Sequence, residues 1–177
     1  PGREPFQGAP TSATLTGKKL SPQGEETMTP ILYHNDMSTC AQKVRLTLAE
    51  KGVQWEGKHL NLRARDQQQP DYLKLNPNAV VPTLVHDGKV VIESSVIIQY
   101  LDDVFPENPL MPKDDYLKAL IRIWLLRTLD IHASINTMSY ATAYRERDLK
   151  NKTPAEREAG YAKIPSAFRA AKKRDLI

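Results

Sequence analysis

An Asp-Gly pair, Asp87-Gly88, separates the runs Thr83-Leu84-Val85-His86 and Lys89-Val90-Val91-Ile92, and this stretch constrains the fold more than any other. A two-residue hairpin loop needs a left-handed backbone at its centre, which Asp tolerates and Gly adopts freely. The β-branched runs on either side favour a pleated, half-buried surface. The spacing therefore predicts an antiparallel hairpin over 83–92. Pro82 stands at its head, where a missing N–H does little harm.

Upstream, Ile31-Leu32-Tyr33 is a short apolar run fit for a buried strand. Thr39-Cys40-Ala41-Gln42 has the T-x-x-Q form of a capping box, and Ala41, Val44 and Leu48 keep the spacing of one helix face. Lys51-Gly52 closes that helix with a cation and a C′ glycine. Val53 to Leu62 alternates loosely and reads as a second strand. A polar, weakly helical stretch from about Asp66 to Leu75 stops at Asn76-Pro77, which cannot continue a helix. After the hairpin, Ile97, Tyr100, Leu101 and Val104 return to helical spacing. The order is β-α-β-α-β-β-α over 28–104, with the first two strands parallel across a crossover.

Three prolines (Pro106, Pro109, Pro112) make 105–113 a linker. Beyond it, Leu117, Leu120, Ile121, Trp124, Leu125, Thr128, Ile135 and Met138 keep helical spacing over a long segment through about Asp148. Thr153-Pro154-Ala155-Glu156 is a second capping box with proline at the first helical position, and Pro165 breaks that helix before another over 166–176. Residues 114–177 thus read as a partial all-helical domain. At the other end, 1–27 holds four Pro and four Gly and carries Pro1 instead of a methionine. That composition predicts a disordered leader or appended segment.

Charge and cysteine usage exclude whole classes. The net charge of +4 sits in 141–177, where ten basic and five acidic side chains alternate at helical spacing, as on a solvated face. A nucleic-acid surface needs a contiguous basic patch instead. One cysteine, Cys40, allows neither an intramolecular disulfide nor a multi-cysteine metal site, and no metal is expected. No apolar run reaches the roughly 18–20 residues of a membrane helix, and the first residues lack a secretory signal. A cytoplasmic protein with no nucleic-acid or membrane partner is expected.

The motifs Ser38-Thr39-Cys40-Ala41-Gln42-Lys43-Val44-Arg45, Asn76-Pro77 with Val81-Pro82-Thr83-Leu84, Glu93-Ser94-Ser95-Val96-Ile97 and Tyr100-Leu101-Asp102 occur in that order. Together they resemble the cytosolic glutathione transferases, over 28–177 and most strongly over 28–113. The resemblance implies a thioredoxin-like N-terminal domain that carries glutathione as co-substrate, and a helical domain, here incomplete, that carries a small hydrophobic electrophile. It also implies a homodimer for the full-length protein. The S-T-C stretch is most similar to serine-type classes, zeta above all, and to bacterial β-aryl-ether-cleaving relatives. Cysteine-type classes place their catalytic cysteine at the position of Ser38, and zeta enzymes carry a polar residue where this chain has Val80.

Each site residue has a functional and an ordinary reading. Ser38 stands where a hydroxyl would activate the glutathione thiol; a serine before a helix is otherwise a cap. Because Thr39 has Gln42 as capping-box partner, the Ser38 hydroxyl is expected to be free. Thr39 reads first as that cap. Cys40, in the first helical turn, reads first as a small buried hydrophobe, with a glutathione contact or catalysis behind it. Tyr33 reads as core. By resemblance, the Val81-Pro82 bond is cis and Val81 offers backbone N–H and C=O to the cysteinyl part of glutathione, a strand addition. Glu93 and Ser94 would receive the γ-glutamyl end at a helix start, where Ser94 also reads as a cap. The expected activity is attack by the glutathione thiol on an electrophilic or β-aryl-ether-type substrate. The alternatives are a zeta-like glutathione-dependent isomerase and a non-catalytic glutathione-fold interaction module. The helices remaining after residue 113 are fewer than that family stacks, so a fragment of low activity is expected.

Overall fold

The computed structural model describes residues 18–20 and 26–175, in two compact units that meet between Lys118 and Ala119. The first unit holds a four-stranded sheet in the order β4 (Glu56–His59), β3 (Ile31–His34), β5 (Thr83–His86), β6 (Lys89–Ile92). Strand β3 is buried along its whole length, as a central strand covered on both faces must be. It runs parallel to β4 through helix α1 (Thr39–Glu50), and antiparallel to β5. β5 and β6 form the expected hairpin, with Asp87 at φ 50° and Gly88 at φ 72° in the turn.

Period-two alternation sends Leu32 and Leu84 to one face, against Val44 and Leu48 of α1 and Ile97 and Leu101 of α3 (Ser94–Val104). Ile31 and Tyr33 point to the other face, with Leu60, Val81 and Tyr72 of α2 (Pro70–Leu75). Tyr33 is core, as expected. α1 ends as a Schellman motif: Gly52, at φ 65°, donates to Ala49 and Val53 donates to Leu48.

Three expectations change. The stretch 66–75 is not one helix but a 3₁₀ turn (Asp66–Gln68) followed by α2. Pro70 has no N–H to give the Asp66 carbonyl, so the α-helix starts at Pro70 instead. The second strand is shorter than 53–62. Within it a side chain on Gly57 would come within 3.1 Å of His34 and Trp55, a close approach that suits glycine. Of the expected leader, 1–17 and 21–25 lie outside the described residues. Its described parts form a strand pair, β1 (Lys18–Leu20) with β2 (Glu26–Met28), and the Met28 N–H donates to Asp87 Oδ1 at 2.9 Å.

Residues 105–114 hold neither helix nor strand. Helix α4 (Asp115–Ser139) follows and runs through a π-helical segment (Tyr140–Tyr144) into α5 (Arg145–Asn151). α6 (Pro154–Ala162) opens on the capping box read from the sequence: Thr153 Oγ1 accepts from the Glu156 N–H, and the Glu156 carboxylate accepts from the Thr153 N–H at 2.7 Å. α7 (Ala167–Asp175) closes the described chain. In the second unit Tyr140, Tyr161 and Ala170 are buried, with the two tyrosine hydroxyls 3.1 Å apart. No described helix is long and apolar enough to cross a membrane.

Candidate active site

The loop from β3 to α1 is fixed at every residue. Asn35 Nδ2 donates to the Leu60 carbonyl at 2.8 Å, while Asn35 Oδ1 accepts from the Met37 N–H at 3.0 Å and its carbonyl from the Ser38 N–H at 3.1 Å. Arg45 reaches back from α1 to the Asp36 carboxylate at 2.8 Å, and Gln42 donates to the Asp36 carbonyl at 3.0 Å. Ser38 is the N-cap, extended at φ −80° and ψ 113°, and its Oγ accepts from the Ala41 N–H at 3.3 Å.

This corrects the assignment of the cap to Thr39. Thr39 is the first helical residue, and Gln42 Nε2 reaches back to donate to the Asp36 carbonyl. The reason for expecting a free Ser38 hydroxyl therefore falls, but the consequence survives in another form. Accepting from Ala41 uses a lone pair and leaves the hydroxyl proton for a second partner.

The start of α3 lies beside the start of α1. Ser94 is not a cap: Glu93 occupies that position and Ser94 is the first helical residue, buried, with its hydroxyl hydrogen-bonded to the Cys40 thiol. Glu93 adopts φ 69° and ψ 110° with no side-chain cap bond, a conformation rare for a residue with a Cβ. Such strain persists where the surroundings impose it, commonly at binding sites. Lys43, to which the sequence reading gave no role, donates to Ser95 Oγ at 2.8 Å and feels the Glu93 carboxylate. Burial pulls its ammonium below the ordinary lysine value. Its only sequence signal was a position one helical turn after Cys40.

Burial pushes the Cys40 thiol up, against the Ser94 hydrogen bond and the Lys43 charge. A thiol with a raised pKa is protonated at neutral pH and gains thiolate only as pH rises. Cys40 should therefore react with iodoacetamide at pH 7 several-fold more slowly than a free cysteine, which timed mass spectrometry reads. Equal rates would reject a raised thiol pKa at Cys40.

The Val81-Pro82 peptide is cis. Sheet register brings the pieces to one end. Tyr33 pairs with Thr83 and Thr83 with Ile92, so the next residues along, His34, Pro82 and Glu93, follow side by side. Val81 thus lies at the end of β3 where the Ser38 loop begins. Among the described residues, no group of three or more His, Cys, Asp or Glu side chains could hold a metal ion.

Residues 37–104 match the family described as the glutathione S-transferase N-terminal domain. Glutathione S-transferase 1 of Dianthus caryophyllus is 44% identical over 95 residues, covering 54% of this chain and 43% of that protein. Maleylacetoacetate isomerase of Dictyostelium discoideum is 42% identical over 94 residues, covering 52% and 43%. The match thus spans less than half the length of these curated relatives. Among solved structures, the β-etherase LigF from Sphingobium sp. strain SYK-6 superimposes with a TM-score of 0.74 at 33% identity, over 84% of this chain and 63% of that one. Sequence and fold agree that this chain carries a glutathione S-transferase N-terminal domain, thioredoxin-like in its sheet and followed by a helical region.

Proposed function

We propose that the chain is a glutathione transferase in which the Ser38 hydroxyl activates the thiol of bound glutathione. The observation that carries this reading is the placement of Ser38, capped onto α1 with its proton unspent, at the same sheet end as Val81 and Glu93. Glutathione would lie along the Val81 edge, its γ-glutamyl end toward Glu93 and Ser94 and its sulfur toward Ser38. The hydroxyl and the positive end of α1 favour the thiolate, and the thiol proton passes to water. Thr39 flanks the same sulfur position without a role in the chemistry, and Cys40 is a half-buried thiol, not the fully buried hydrophobe expected, hydrogen-bonded to Ser94. The sulfur then forms a bond to an electrophilic carbon of a small apolar substrate, and the bond from that carbon to the leaving group breaks.

The likeness to LigF favours an aryl ether as that substrate, with the aryl oxide as leaving group. The likeness to a maleylacetoacetate isomerase supports a second reading, in which glutathione adds to the substrate and departs again after isomerisation. The test is retention on immobilised glutathione, followed by conjugation of a chlorodinitrobenzene-type electrophile and cleavage of a β-aryl ether. Retention with turnover supports the proposal, retention without turnover leaves a binding module, and no retention rejects both.

The Glu93→Ala/Ser94→Ala double variant removes charge-assisted contacts to the γ-glutamyl end. Its KM for glutathione is expected to rise on the order of 10- to 100-fold, with turnover at saturation little changed. An unchanged KM places the γ-glutamyl end elsewhere.

A further inference from the structure

Behind the Val81-Pro82 edge lies a closed ring of buried hydrogen bonds. Tyr72 of α2, Asn76 just after it and Thr83 at the head of β5 are 0%, 1% and 0% exposed. The Tyr72 hydroxyl is 2.5 Å from the Val80 carbonyl oxygen and 2.7 Å from Thr83 Oγ1. Asn76 Nδ2 is 3.1 Å from the same carbonyl and 3.0 Å from the same Oγ1.

Proton counting fixes every direction in this ring. A carbonyl only accepts, so the single Tyr72 proton goes to Val80. Burial pushes the phenol up to about 12, which keeps that proton in place at neutral pH. The Asn76 amide has two protons, one for the Val80 carbonyl and one for Thr83 Oγ1. The Thr83 proton is then left for the Tyr72 oxygen. Asn76 Oδ1 accepts from the Asn78 N–H at 3.1 Å. All four side-chain protons are used once, and the Val80 carbonyl receives two of them.

That carbonyl matters because a peptide unit is planar. Holding Val80 C=O toward α2 from two sides makes the Val81 N–H of the same plane point the opposite way, and the Val81 main chain is the edge that a peptide ligand would pair with. We propose that Tyr72, Asn76 and Thr83 are positioning residues that set the orientation of the Val81 main chain for binding the cysteinyl part of glutathione. The proposal rests on the glutathione-binding reading above, yet the ring itself can be tested without the ligand.

The experiment compares Tyr72→Phe, Thr83→Val and Thr83→Ser in the full chain. Calorimetry gives the glutathione Kd, conjugation kinetics give KM and kcat, and amide hydrogen exchange reports on Val81. Tyr72→Phe and Thr83→Val are expected to weaken glutathione about tenfold, with kcat within about twofold of the parent. Thr83→Ser keeps the hydroxyl and is expected to bind like the parent. Exchange at Val81 should quicken in the first two variants while Leu48 and Leu101, in the core beyond the ring, stay as protected as before. Unchanged Kd in both variants, unchanged Val81 exchange, or a loss explained wholly by the folded fraction overturns the proposal. If the parent chain itself fails to bind glutathione, the glutathione reading falls, and with it the ligand role of the ring; the exchange comparison then still decides whether the ring sets Val81.

Discussion

Ser38→Ala is expected to lower turnover on the order of 10²-fold while glutathione affinity changes little. The hydroxyl would act on the reacting sulfur, and most of the binding energy comes from the rest of the tripeptide. Because Ser38 also caps α1, the alanine variant loses about 1 kcal/mol of stability as well. The two effects separate by magnitude. A domain stable by roughly 5–15 kcal/mol stays folded after so small a loss, so unfolding cannot produce a hundredfold fall in rate. Ser38→Gly sharpens the distinction, since glycine caps within a few tenths of a kcal/mol of serine but has no proton to donate. It should melt close to the parent and still be about as inactive as the alanine variant. Thiolate stabilisation lowers a thiol pKa, so its loss should also move the rise of the pH–rate profile toward the free-thiol value, near pH 8.5. Full activity in the glycine variant would remove Ser38 from the chemistry.

What the sequence made legible was local. Asp87-Gly88, Gly52 and Thr153-Pro154-Ala155-Glu156 each specify a backbone conformation through residues a few positions apart, and each conformation is found. The cis bond expected at Val81-Pro82 is present as well, although it came from family resemblance and not from the residues alone. The cap of α1 was misplaced by one residue because Thr39 and Gln42 satisfy the local pattern. What decides the matter is the extended backbone of Ser38, set by a loop that the Asn35, Gln42 and Arg45 side chains hold. Glu93 is a residue type that gives no sign of φ 69°, the conformation it takes where β6 gives way to α3. Lys43 was hidden for a similar reason. Its partner Ser95 stands 52 positions away, a pairing no periodicity reveals.

Lys51 shows the same limit at larger energetic stake. At the end of α1 it read as a cation for the helix dipole, but its side chain is fully buried and its Nζ lies 2.6 Å from Asp102 Oδ1 and 2.8 Å from the Asn108 carbonyl. Asp102 in turn accepts the N–H groups of Leu110 and Met111 at 2.8 and 2.9 Å, so the pair fastens the proline-rich segment to α1 and α3. Burial pushes the Asp102 carboxyl up, but the bonds from Lys51, Leu110 and Met111 together outweigh it and hold the group below its ordinary value. A carboxyl with a depressed folded-state pKa adds stability that is complete above its unfolded value, about 3.9, and lost as pH falls through the folded one.

Removing one member of such a pair strands the other, at a cost of about 3–5 kcal/mol. The two members are not equivalent. After Lys51→Met, Asp102 keeps two backbone donors and some exposure; after Asp102→Asn, Lys51 keeps a charge in a site with no exposure. Asp102→Asn should therefore be the more damaging change. Replacing both, as Lys51→Met with Asp102→Leu, should recover part of the loss, because a buried pair is often no more stabilising than apolar groups of similar volume. Urea denaturation followed at Trp55 in a Trp124→Phe background reads all three variants from the first unit. A loss below about 1 kcal/mol for Asp102→Asn, the range of surface pairs, would show that the ion pair does not hold this segment.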